Sequence, residues 1–311
     1  MQKEERLRTS PTKDTPPLTA NGELAEKLLR HLLLAALGAL VAGAELFFGV
    51  KPFALALTAA ATELWPAAAL GAAAFFLVTG DYLSVAALAL VIGTRLVLSL
   101  LQAKETAGEL LHDRPLFRIF AAALAALITG AITLFRGELL YFDLFALLLS
   151  VAAAPLATFL YVGLFSEKDS PLPNAREIGV AAVVLTVIFA LRRVSIFGIL
   201  PAAVIATGAA LVLTAHRGIL WGMGGGLVAG VCFDPKLAPA FLLAALAFGL
   251  LQKSSRGGGV LAASAAAAAF AFLVGKNSAL VSLLPALLTA GALFLATDSA
   301  GLIEGAPARQ R

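Results

Sequence analysis

The sequence predicts an all-α fold, a polytopic integral membrane bundle of about 10–12 transmembrane segments with both termini in the cytoplasm. Three observations predict it. Hydrophobic residues make up 60% of the 311-residue chain and charged residues 14%, with a mean hydropathy of +0.93; soluble domains carry about 45–50% and about 25%. The apolar residues come in serial runs, and the basic residues collect in alternate connections between those runs. A single water-soluble core could not absorb so many apolar side chains, whereas a bilayer accepts them all.

In chain order, residues 1–25 are polar, with Pro11, Pro16 and Pro17 among Ser, Thr and charges. That composition buries too little to offset chain entropy and predicts a disordered tail. It does not read as a signal peptide, because no short apolar region with a small-residue cleavage site follows the charges. The membrane domain then covers 26–300, and 301–311 forms a short cytoplasmic tail. Residues 23–30 begin a helix that lies at the surface and runs into the first span. The apolar segments are 31–49, 52–63, 66–80, 82–101, 116–135, 139–164, 178–191, 195–215, 218–233, 237–252, 258–275 and 278–297. A straight span takes about 20 residues. The segments 52–63, 178–191 and 218–233 are short for that, so they read as tilted, re-entrant or broken at Pro52, Pro66 and Pro201.

Charge sets the parity. With all twelve segments crossing and the N-terminus inside, sixteen of the 23 lysines and arginines fall in or beside inside loops and six fall outside. Arg95 alone stays within a span. The excess follows the positive-inside rule and favours an even number of crossings. It also makes topology, rather than nucleic-acid binding, the reading of the +4 net charge. A lone Cys232 excludes an intramolecular disulfide, and His31, His112 and His216 are too far apart to read as a ligand set.

Three patterns stand out. Gly218, Gly222, Gly226 and Gly230 recur every fourth residue and form a side-chain-free stripe on one helix face, where a neighbouring helix can approach closely. GVKPFALAL (49–57) and FDPKLAPAFLLAAL (from Phe233) each put a basic residue and a proline before an Ala/Leu run, the trace of an internal repeat or a coincidence of composition. Ionisable residues at membrane depth include Glu45, Glu63, Asp81, Arg95, Arg192, Arg193, Asp234 and Asp298. Glu45 and Arg95 are the best placed within spans. An ion pair between them across two helices would reduce the cost of both. No phosphate-binding loop, zinc-protease motif, nucleophile elbow or dense acidic cluster occurs, so the sequence implies no cofactor, no metal and no enzyme.

The run AELFFGVKPFALALTAA, then PAAALGAAAFFLVTG, then DYLSVAALALVIGTRLVLSLL, resembles the start of the membrane region of stage II sporulation protein E. The Gly-rich 218–233 segment, FLLAALAFGLLQKSSRGGGVLAAS and LLTAGALFLATD are similar to its later spans, so the resemblance covers roughly 30–300. Family members continue into a metal-dependent phosphatase domain, which these residues do not contain. The resemblance therefore implies a non-catalytic multispanning module of the bacterial inner membrane that anchors, localises and self-associates. The partners it implies are the lipid bilayer, copies of itself, and cell-division or sporulation membrane proteins. The alternative is a transporter of a small solute or lipid precursor, suggested by the short segments, membrane-depth charges and repeat-like pair.

Overall fold

A computed structural model describes residues 20–102, 114–136, 141–166 and 172–300, which are helical apart from short connections. The helices are α1 (Ala20–Ala42), α2 (Pro52–Ala60), α3 (Trp65–Thr79), α4 (Tyr82–Gln102), α5 (Pro115–Arg136), α6 (Tyr141–Phe165), α7 (Ala175–Leu191), α8 (Pro201–Arg217), α9 (Ile219–Phe233), α10 (Ala238–Leu251) and α11 (Arg256–Ser299). Proline opens α2, α3, α8 and α10. Its missing N–H falls where a helix has no acceptor to offer. The disordered-tail expectation lies largely in residues 1–19, outside the described residues, as do 301–311; α1 is already helical from Ala20.

Helix α11 is a hairpin rather than a rod. A straight 44-residue helix would hold its ends about 65 Å apart. Instead Arg256, at its start, forms an ion pair with Asp298, at its end, and a side chain at Gly291 would strike Val260. The reversal occurs at Lys276, whose backbone is non-helical (φ 54°, ψ −146°). The two arms, 256–275 and 277–299, match the two apolar segments read from sequence. By length and composition, α5 (115–135), α6 (141–165) and α11 are long and apolar enough to cross a membrane.

Packing is inverted in size. The interior is built largely of alanine: Ala54, Ala56, Ala59, Ala60, Ala68, Ala72, Ala122, Ala154, Ala203, Ala206, Ala244 and Ala267 are buried. Large apolar side chains such as Leu70, Val78, Phe120, Phe145, Leu220, Trp221, Leu261, Leu273 and Val281 point outward. Small interior residues let backbones touch, which is how helices gain dispersion energy when the surroundings are as apolar as the core. The crossing of α1 and α3 is the closest case. Added side chains at Gly38 and Gly71 would overlap the carbonyls of Ala68 and Ala35 respectively. Buried hydroxyls are absorbed locally, as Thr129, Thr158, Thr207 and Thr214 each donate to the carbonyl four residues earlier. Tyr161 of α6 and Thr186 of α7 share a hydrogen bond between hydroxyls.

A repeat is visible, but not between the segments the sequence suggested. Residues 49–57 form a turn and the start of α2, whereas the stretch from Phe233 links α9 to α10, so those two phrases are not equivalent. The equivalent pair is FFGVKPFALALTAAA (47–61) and IFGILPAAVIATGAA (196–210). In both, a Phe-Gly pair adopts positive φ (Phe48 61° and Gly49 78°; Phe197 52° and Gly198 79°), and a proline-headed helix starts three residues later. Positive φ is rare for a β-substituted residue such as Phe, and only four non-glycine residues among those described adopt it. Two of the four stand at matching positions. A backbone hydrogen bond closes each turn, from Val50 N–H to Phe47 O at 3.4 Å and from Ile199 N–H to Ile196 O at 2.9 Å.

The α1–α3 crossing sets a stability test. Gly71→Ala is expected to lower stability by about 1–3 kcal/mol in denaturant titrations in detergent, because its methyl must displace backbone. Gly93→Ala in α4, where a side chain meets nothing within 4 Å, is expected to cost nothing. Equal effects would contradict the crossing.

Candidate functional site

Helix α2 has nine residues, eight of them buried, and it stops inside the bundle. Its last carbonyls therefore have no helical N–H ahead of them and no water beside them. Ala61 N–H takes Leu57 O. The next five carbonyls are taken by two buried arginines. Arg95 of α4 reaches Thr58 O (2.9 Å), Ala59 O (3.1 Å), Ala61 O (2.5 Å) and Thr62 O (3.4 Å). Arg118 of α5 reaches Ala60 O (3.0 Å). The Arg95 guanidinium also lies 5.4 Å over the Trp65 ring at the start of α3. A cation suits this end of a helix, where the aligned peptide dipoles leave partial negative charge.

The opposite end of α2 is tied as well. Lys51 donates to Asp81 (2.8 Å), which also accepts from the Ser84 hydroxyl and N–H. Burial alone would raise the Asp81 carboxyl, but the hydrogen bonds from Lys51 and Ser84 outweigh it and hold the pKa below the ordinary carboxylate value. Two anchor points, Lys51–Asp81 and Arg95 with α2's terminal carbonyls, lay α4 parallel to α2, with α3 returning between their ends.

A cleft of about 400 Å³ lies beside the first entry turn, lined by Glu45, Leu46, Phe47, Phe48, Phe189, Arg192 and Arg193. Arg192 follows the last residue of α7. It stacks 3.9 Å from the Phe189 ring centroid and donates to the Glu45 carbonyl (3.2 Å). Burial, then the neighbouring Arg193, lowers its pKa, and Glu45 acts in the other direction. Phe48 packs on Phe142 of α6 (5.6 Å between centroids) and Phe53 on Phe189 (6.2 Å). The first entry turn and the approach to the second thus share one rim.

The residues singled out by sequence fall in three places. Glu45 and Arg95 do not meet: Arg95 is buried against α2's carbonyls, while Glu45 is exposed at the cleft and beside Arg192. Of the glycine stripe, Gly222, Gly226 and Gly230 are buried on α9. Side chains there would strike Thr214 of α8, Phe241 O of α10 (2.8 Å) and Ala238 Cα of α10 (2.6 Å). Gly218 has a different job as the positive-φ residue joining α8 to α9. Arg118, one of the basic residues that fall beside an inside loop in the sequence, is buried. The signal that would have moved it inward is Pro115, which starts the helix three residues before it. Among the described residues no three His, Cys, Asp or Glu side chains gather as a metal site.

No family model, curated protein or solved structure matches the chain. The likeness to stage II sporulation protein E, and the sporulation role it implied, gain no support from them.

Two tests follow from this geometry. Arg95→Gln and Arg118→Gln are each expected to destabilise by about 2–4 kcal/mol, since each strands buried acceptors. The double variant is expected to lose less than the sum, because the same row of carbonyls opens to water once. Unfolding titrations in mixed micelles measure both, and strict additivity would mean the two caps act independently. For Asp81, a folded pKa below the unfolded one places its contribution above about pH 4–5, lost as pH falls through the depressed value. Asp81→Asn is expected to flatten that acid limb of a melting-temperature profile, and an unchanged limb would remove Asp81 from the account.

Proposed function

We propose that the chain is a polytopic membrane protein of about 10–12 crossings, with both termini in the cytoplasm. It works as a non-catalytic module that anchors and self-associates in the bilayer. The observation that carries this reading is the inverted packing, with alanine and glycine seams inside and Leu, Val, Phe and Trp outside. A water-facing surface does not favour that distribution, whereas lipid does. The charges support it too. Arg95 and Arg118 close a helix end, Lys51 pairs with Asp81, Arg217 with Glu177 and Arg256 with Asp298, so each has a structural partner.

Transport of a small solute is the second reading. The helix that ends inside the bundle and the repeated Phe-Gly entry turn favour it, since transporters are often built from repeats around interrupted helices.

One experiment separates the two. In a Cys232→Ala background, Thr58→Cys reports on the end of α2 and Lys236→Cys on the exposed connection between α9 and α10. With a small water-soluble maleimide on intact membranes, the closed module is expected to label at 236 and not at 58. Labelling at 58 in folded protein would replace the anchor reading with a water-accessible pathway. Energy transfer between differently labelled copies in vesicles tests the self-association, and a signal no higher than random dilution at every lipid ratio would remove it.

A further inference from the structure

The rim cleft has two arginines, one carboxylate and three phenylalanines, and the carbonyl-capping network uses none of them. Arg192 is pre-oriented from two sides, by the Phe189 ring beneath it and by the Glu45 carbonyl. That carbonyl is its one hydrogen-bond acceptor among the described residues, so most of a five-donor fork remains for a ligand. Arg193 is next to it and exposed. The pair is peculiar to this unit, because the matching positions before the first turn are Gly43 and Ala44. Phe47 and Phe48 stand at the lip, both exposed. A cleft of about 400 Å³ is within the range of small-molecule sites.

We propose that this cleft binds the phosphodiester headgroup of an anionic membrane lipid. Arg192 and Arg193 hold the phosphate, and Phe47 and Phe48 lie against the glycerol and the upper acyl chain. The charges balance at one ligand charge: two guanidinium groups against Glu45 leave a single excess positive charge for a single phosphodiester. Arginine suits this ligand because its planar fork matches two phosphate oxygens at once. Glu45 then works as a selector. It repels a second phosphate, and it accepts from a hydroxylated headgroup. The aromatic lip separates a lipid from a free anion, because inorganic phosphate gains nothing from the phenylalanine rings, whereas a lipid buries apolar surface on them. The proposal rests on the membrane reading.

The test uses the full chain in dodecyl maltoside. It is titrated separately with dioleoyl phosphatidylglycerol, dioleoyl phosphatidylcholine and inorganic phosphate, with bound ligand counted by native mass spectrometry and melting followed in parallel. Phosphatidylglycerol is expected to bind best and to raise the melting temperature. Arg192→Gln with Arg193→Gln should weaken it by about tenfold or more. Glu45→Gln should narrow the preference for phosphatidylglycerol over inorganic phosphate, since the carboxylate that repels additional negative charge is removed. Should the double variant not fold, Arg193→Gln alone, at an exposed position, is expected to weaken binding in the same direction. Equal phosphatidylglycerol affinity in the arginine variants, equal binding of phosphatidylcholine, or equally tight inorganic phosphate would each overturn the lipid site. A folded chain that inserts into vesicles yet shows no lipid preference sinks this inference alone, whereas failure to insert sinks the membrane reading as well.

Discussion

Five consecutive carbonyls, from Thr58 to Thr62, are the constraint around which the first half of the molecule is arranged. A helix that ends in an apolar interior exposes its final acceptors to neither water nor a following turn, at a cost of about 1–3 kcal/mol for each one stranded. Arg95 and Arg118 take all five. Burying two guanidinium groups is itself expensive, and it is tolerable only because each lies against the negative end of a helix and among oxygen acceptors. Each half of the arrangement makes the other possible. Arg95 is thirteen residues into α4 and Arg118 three into α5, so satisfying α2 fixes how far both helices slide past it. With Lys51 and Asp81 closing the other end, α2 acts as a ruler for its neighbours.

The repeated entry turn sharpens the contrast between the two units. Pro52 and Pro201 start equivalent helices, and Thr58 matches Thr207. Yet α2 stops at Ala60 while α8 runs on to Arg217. The longer helix buries its threonine by donating to its own backbone, and it ends with His216 and Arg217 in its last turn followed by Gly218. It supplies its own cationic end and its own positive-φ stop, so it needs no arginine from a neighbour. The shorter helix has none of these devices within its own sequence, and α4 and α5 provide them. One entry geometry therefore supports two endings, and the difference between the endings is a difference in where the capping charge is encoded.

The sequence was most legible where a signal is local. Apolar runs located the helices, including the division of 256–299 into two arms, because a run of apolar residues interrupted by Gly-Lys-Asn is visible without any partner. The four-residue glycine spacing placed three of its four members on one buried face for the same reason. Partnership was illegible. Arg95 stood out as a charge inside a span, but the natural guess was another charge, and Glu45 was the nearest candidate in character. Backbone carbonyls carry no sequence signature, so nothing in the residue string could name Thr58–Thr62 as the partner. Gly38 and Gly71 were equally silent. A close crossing needs one small residue on each helix, and in an Ala-rich chain such pairs are everywhere.

This division between interior and rim also bears on where activity can reside. Most interior polar groups are committed: cations to carbonyls, hydroxyls such as those of Thr129, Thr158, Thr207 and Thr214 to the turn before them, and glycines to close contacts. The buried Thr58 hydroxyl, by contrast, has no hydrogen-bond partner among the described residues. Changing any of them disturbs a fold before it changes a behaviour. The rim at the two entry turns is different. Phe48 and Phe197 hold an unfavourable backbone conformation for a bulky residue, and both remain exposed rather than repaying the strain by burial. A hydrophobic ring at a strained turn, kept out of the core in both units, gains only if its surroundings are not water. In the proposed membrane setting lipid supplies that, and beside the first of the two rings stand Arg192 and Arg193. On that proposal the rim is where protein, headgroup and acyl chain would meet, and the close-packed interior would hold it there.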